Sequence, residues 1–161
     1  MKRLFVLGVV LGLLVVMVSS VSVVGASGFQ AVSGTWQIGS VLSSSVQPAG
    51  GNCIIELDDT LNWMGDLAGT STNHTRIVHF GPCDQPASEV FQSRGTFQGT
   101  VAGVSGSFDF QVVGVADAQG NVQAPVVILK GTGGLANLRG GVNLTGPLFP
   151  GGTYSGFVRF N

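Results

Sequence analysis

Charge is scarce in this chain. Only 9% of its 161 residues are Asp, Glu, Lys or Arg, and no acidic residue follows Asp117. A nucleic-acid partner would need a basic stripe, and seven Lys+Arg scattered along the sequence do not make one, so no nucleic acid is expected. Cysteine and histidine are equally rare, at two each. His74 and His79 with two distant thiols fit no zinc spacing, so no metal site is expected, and the lack of C-x-x-C removes thioredoxin-like redox chemistry. There is no G-x-S-x-G elbow, and neither histidine can be tied to a particular serine.

What is present begins with a leader. Lys2 and Arg3 precede a charge-free apolar run from Leu4 to Val18, and small residues lead to Val24-Gly25-Ala26. That order reads as a secretory signal peptide over residues 1–26, cleaved after Ala26. An uncleaved anchor is the alternative, since the apolar stretch reaches Val24, near the roughly 20 residues that span a bilayer. The rest, 27–161, reads as a single β-barrel domain, secreted or periplasmic, that meets a membrane only through its leader before cleavage. Without Lys2 and Arg3, five Lys+Arg face eight Asp+Glu, a net charge of −3. In an oxidising compartment the pair Cys53 and Cys83 reads as one disulfide, worth roughly 3 to 4 kcal/mol in the chain-entropy model.

No window carries a helical period, whereas strand patterns recur between turn signals. Strands are expected at Gly34–Val41, Cys53–Met64, Asp66–Phe80, Glu89–Thr100, Ser107–Val115, Pro125–Lys130, Gly141–Gly146 and Thr153–Phe160. SSSVQPAGGN is read as the loop after the first, and Pro125 as the opening residue of its strand. In TYSGFVRF, Tyr154, Val158 and Phe160 alternate with Ser155 and Arg159, as a sheet with one buried face requires. An eight-stranded antiparallel barrel is the economical all-β solution, because closure removes the edges of a weakly charged sheet. A two-sheet sandwich is the competing architecture.

GTGGLANLRGG, Gly131 to Gly141, matches G-x-G-x-x-A after an apolar strand. A dinucleotide fingerprint must open a helix, and Gly140, Gly141 and Pro147 forbid one, while the acidic residue about 20 positions on is missing. No cofactor is therefore expected. Gly131, Gly133, Gly134 and Gly140 are read as a turn closing one barrel end, with Leu135 and Leu138 folded inward as its plug.

The same run, with the terminal GTYSGFVRF, resembles the C-terminal part of bacterial domains of unknown function that share the allene oxide cyclase and dirigent-type barrel. GTFQGTVAGVSGSFDFQVVG, Gly95 to Gly114, is similar to their G-T-F-x-G-T-x-x-G-x-x-G hairpin. The likeness runs from about Trp36 to Phe160. It implies an eight-stranded barrel with an apolar cavity, in a superfamily whose plant members control ring closure or radical coupling. Gly34-Thr35-Trp36 is also similar to the opening of lipocalin and avidin-type barrels.

Two sets of residues are candidates for function. Trp36, Trp63, Phe108, Phe110 and Tyr154 are placed on inner faces, to line a ligand cavity or to fill it. Glu56 and Asp58, opposite His74 and Arg76 on the next strand, would form an acid–base cluster if that face pointed inward, and surface ion pairs if it did not. Asn73-His74-Thr75 and Asn143-Leu144-Thr145 match the N-glycosylation pattern. The leading reading is an exported barrel that binds a small apolar or aromatic ligand or serves as a stable scaffold. A cofactor-free cyclase- or dirigent-like isomerase working at the mouth is the alternative.

Overall fold

The computed structural model describes residues 28–161, so the expected leader over 1–26 lies outside the described residues. Eight strands follow in chain order: β1 Gln30–Ala49, β2 Asn52–Gly65, β3 Leu67–His79, β4 Glu89–Val101, β5 Val104–Ala116, β6 Asn121–Gly133, β7 Leu138–Pro147 and β8 Gly152–Phe160. All neighbours are antiparallel, and β8 returns to β1, so the sheet closes into a ring and is not split into a sandwich. No helix among the described residues is long and apolar enough to cross a membrane.

Two expected boundaries are corrected. SSSVQPAGGN is not a loop: β1 runs on to Ala49 and pairs with β2 as far as Ala49↔Asn52. Gly50 and Gly51, both at positive φ, make the two-residue turn that suits a twisted hairpin. Serines mislead here because every β1 residue from Gly39 onward is exposed, and a strand with both faces in water needs no apolar alternation. Pro125 does not open its strand but lies inside β6, opposite Asn143 of β7. The ladder to β5 skips from Val126 to Gln123, so the missing N–H interrupts one ladder and leaves the strand intact.

β1 meets β8 only from Gln30 to Trp36 and beyond that has β2 as its one partner, so its distal half, from Gly39 to Ala49, is an arm with a free edge laid along β2, which itself stays paired with β3 as far as Cys53↔His79. Register shifts between Ile38 and Ser43 mark where it leaves. Cys53, fully buried near the arm's tip, is bonded to Cys83 in the loop between β3 and β4. His79 fastens the same loop: Nδ1 faces Glu89 Oε1 at 2.9 Å and Nε2 faces the Gln85 carbonyl at 2.8 Å. The Glu89 hydrogen bond, seconded by that carbonyl, holds the imidazole above its ordinary pKa.

One end of the ring is solid. Leu67, Phe97, Val101, Leu135, Leu138 and Val158 are all 1% exposed or less. Phe97 stacks on Phe108 with centroids 4.7 Å apart. The Tyr154 hydroxyl accepts from Leu67 N–H at 2.7 Å and donates to the Leu67 carbonyl at 3.2 Å, which ties β8 across to β3. Burial pushes that phenol's pKa up. Between β6 and β7 the glycine cluster makes a tight turn, in which Leu135 N–H donates to the Thr132 carbonyl and Leu138 N–H to the Leu135 carbonyl. A Cβ at Gly131 would fall on the Leu135 carbonyl, so glycine lets this turn fold back under the ring.

Candidate functional site

The other half of the lumen is hollow. A cavity of about 110 Å³ is lined by residues of β1 to β7, with Trp36, Leu61, Trp63, Phe91, Phe110 and Val112 among its apolar walls. Trp63 forms the floor: its ring lies edge-on to Phe97 and Tyr154 of the packed end, at 6.3 and 5.5 Å, and to Phe110 at 6.4 Å. Ile38, Leu57, Ile77, Ala116, Val122 and Leu148 carry the wall towards the end where the arm stands. Both indole N–H groups are already used, Trp36 Nε1 on the Thr153 carbonyl at 3.1 Å and Trp63 Nε1 on Ser71 Oγ at 3.0 Å. The rings therefore face the cavity as apolar surfaces.

One side of this wall is polar. Asp59 of β2, Asn73 and Thr75 of β3 and Ser93 of β4 are all 9% exposed or less. Asn73 Nδ2 donates to Asp59 Oδ1 at 2.9 Å, and the Thr75 hydroxyl donates to Ser93 Oγ at 2.9 Å. Asn73 Oδ1 is buried without a partner, in the space that a side chain at Gly95 would fill and beside the Phe110 ring tip. Burial raises the Asp59 pKa, with the Asn73 hydrogen bond pulling against it and the Asp58 charge adding to it.

The sign of that shift makes a prediction. A carboxyl whose folded-state pKa is raised binds more protons folded than unfolded, so it costs stability as pH rises above the ordinary carboxylate range. Asp59→Asn removes the cost, and its advantage over the parent in urea unfolding grows with pH from about 3 to 8. A difference between the two proteins that stays flat across that range would mean Asp59 is not desolvated.

Of the aromatics expected to line a cavity, Trp36, Trp63 and Phe110 do so. Phe108 and Tyr154 do not: both are buried in the packed end, Phe108 against Phe97 and Tyr154 against Trp63 and Leu67. Glu56, Asp58, His74 and Arg76 take the surface ion-pair arrangement of the two that were open. His74 and Arg76 expose 65% and 60% of their side chains on the outer wall, with Arg76 Nη1 2.8 Å from Glu56 and His74 Nδ1 2.7 Å from Asp58. Asp58 also accepts from Ser43 at 2.6 Å, and that bond first, then His74, lowers its pKa. Strand parity is the reason. Asp59, Leu61 and Trp63 share the inner face of β2, which turns Glu56 and Asp58 outward, and Asn73 and Thr75 do the same to His74 and Arg76. Asn73 is thus a buried sequon residue and no sugar acceptor in the folded chain, whereas Asn143 is exposed.

Asp59, Ser93 and Phe91 were not singled out by sequence reasoning, and Asn73 and Thr75 entered it only as parts of a sequon. Parity held the signal for Asp59, since placing Trp63 inside obliges Asp59, four residues away, to face inward too. No group of His, Cys, Asp and Glu among the described residues could hold a metal ion.

A protein-family model described as "Protein of unknown function (DUF3224)" matches residues 32–146. Among solved structures, the chain is similar to a protein of unknown function from the DUF3224 family of Shewanella oneidensis MR-1, with a TM-score of 0.65 and 18% identity, over 83% of this chain and 98% of that one. At that identity the likeness is one of fold. No curated protein matches the chain.

Proposed function

We propose, proceeding from the fact that the chain belongs to the DUF3224 family, that it is an exported carrier whose hollow half-lumen holds one small, largely apolar or aromatic molecule. The observation that carries this reading is the contrast within one ring: interlocked side chains at one end, an unfilled apolar cavity at the other. Its volume approaches the roughly 150 Å³ at which an apolar cavity stays dry and takes up benzene. Export is supported by the bonded cysteine pair, which an oxidising compartment preserves. Kinship with the allene oxide cyclase and dirigent-type barrel belongs to the same proposal. It draws on the Gly95–Gly114 segment forming the β4–β5 hairpin and on the Gly131–Gly141 segment turning β6 into β7.

Asp59 favours a second reading, an isomerase without cofactor in which this buried acid moves a proton on a bound substrate. The outward-facing Glu56, Asp58, His74 and Arg76 give that reading no further help. Both readings need an occupied lumen, which native mass spectrometry of the oxidised chain, exported from its own leader, will test. A small adduct is expected that disappears on solvent extraction and is absent from Ala116→Phe, where the larger side chain fills the wall. A bare mass that takes up no toluene on re-addition would leave a scaffold and overturn the carrier.

A further inference from the structure

The polar wall of the cavity has acceptors left over and few donors. Trp36 Nε1, Trp63 Nε1, the Thr75 hydroxyl and one N–H of Asn73 Nδ2 donate within the protein, which leaves the Ser93 O–H and the second Asn73 N–H as neutral donors on this wall. On the acceptor side, Asn73 Oδ1 is buried and unpartnered, and Asp59 Oδ2 makes no hydrogen bond among the described residues. Of the two acids that line the cavity, Glu89 is spent on His79 at 2.9 Å, and no Lys or Arg lines the cavity at all. A bound carboxylate would meet an acidic wall with no cation to balance it. A bound ammonium would find one unspent carboxyl and four aromatic rings, those of Trp36, Trp63, Phe91 and Phe110.

We infer that the cavity selects small amines, with the ammonium held by Asp59 and the apolar part of the ligand held among the aromatic side chains. This inference rests on the carrier reading and names the ligand class of the same site. Charge-assisted hydrogen bonds to a desolvated carboxylate are about twice as strong as neutral ones, and aromatic faces attract cations further. The direction of its pKa shift agrees: burial penalises the Asp59 charge, and a bound cation would offset that penalty.

The test uses four probes of one ring each, toluene, benzyl alcohol, benzylamine and benzoate. Both tryptophans of the chain line the cavity, so intrinsic fluorescence reports binding directly. At neutral pH, benzylamine is expected to bind at least about tenfold more tightly than toluene or benzyl alcohol, with benzoate the weakest. In Asp59→Asn, whose fold is checked by its urea transition, the ratio of benzylamine to toluene affinity falls to about one. Equal affinities in the parent, tighter benzoate, or a ratio that persists in Asp59→Asn would overturn the amine assignment while leaving a carrier of apolar molecules. Failure of all four probes to bind would overturn the carrier itself.

Discussion

Truncating Phe97 to alanine is expected to destabilise the fold by about 3 to 5 kcal/mol, the usual cost of deleting a buried aromatic that its neighbours cannot replace. Phe97 is 0% exposed, stacks on Phe108 and meets the edge of Trp63. Its loss would open a void between the plug formed by Leu135 and Leu138 and the floor of the cavity. Urea unfolding should show a lower midpoint with an unchanged slope. Phe149, 70% exposed on the β7–β8 loop, is the internal control, and its alanine variant should stay within about 0.5 kcal/mol of the parent. A loss below about 1 kcal/mol at Phe97 would mean that the closed end relaxes around the gap, and the division of the lumen into packed and hollow halves would fail with it.

Removing the Cys53–Cys83 bond is the second large effect. The two residues are 30 apart in sequence, and freeing a loop of that length restores enough unfolded-state entropy to cost about 3 to 4 kcal/mol. That is a large part of the 5 to 15 kcal/mol by which a typical domain is stable. The bond joins β2 to the loop after β3, and Glu89 just beyond that loop lines the cavity. Cys53→Ser with Cys83→Ser should lower the urea midpoint as much as a thiol reductant does to the parent. Equal midpoints with and without reductant would show that His79 and its partners Glu89 and Gln85 hold the loop without the bond.

The strands were legible where one face is apolar. In β5, Phe108, Phe110 and Val112 alternate with exposed or half-buried polar residues, and period-two reasoning finds such a strand easily. It stopped short on β1 past Val41, where the arm has water on both sides and serine replaces alternation. Around β3 it had little to work with, because Thr70 to Thr75 is polar on both faces and hides an inner face of Ser71, Asn73 and Thr75. The candidate site suffered from one inconsistency of parity. Trp63 and the pair Glu56 and Asp58 cannot both face inward on one regular strand, and the structure resolves this in favour of Trp63. Aromatic rings gain far more from leaving water than charged groups, which lose hydration on burial.

By itself the sequence determined that the chain is all-β, that its glycine cluster turns without a helix, and that its few charges avoid the interior in all but a few places. These follow from local rules: strand period, the backbone freedom of glycine and the cost of burying charge. Only the tertiary structure decided which half of the lumen is filled, and that Asp59 and Asn73 face the empty half. Filling depends on how side chains from eight strands meet across the ring. Leu135, Phe97, Phe108 and Tyr154 converge at one end, while Ala116, Ser93 and Asn73 at the other are too small to close it, and no strand read alone records that meeting.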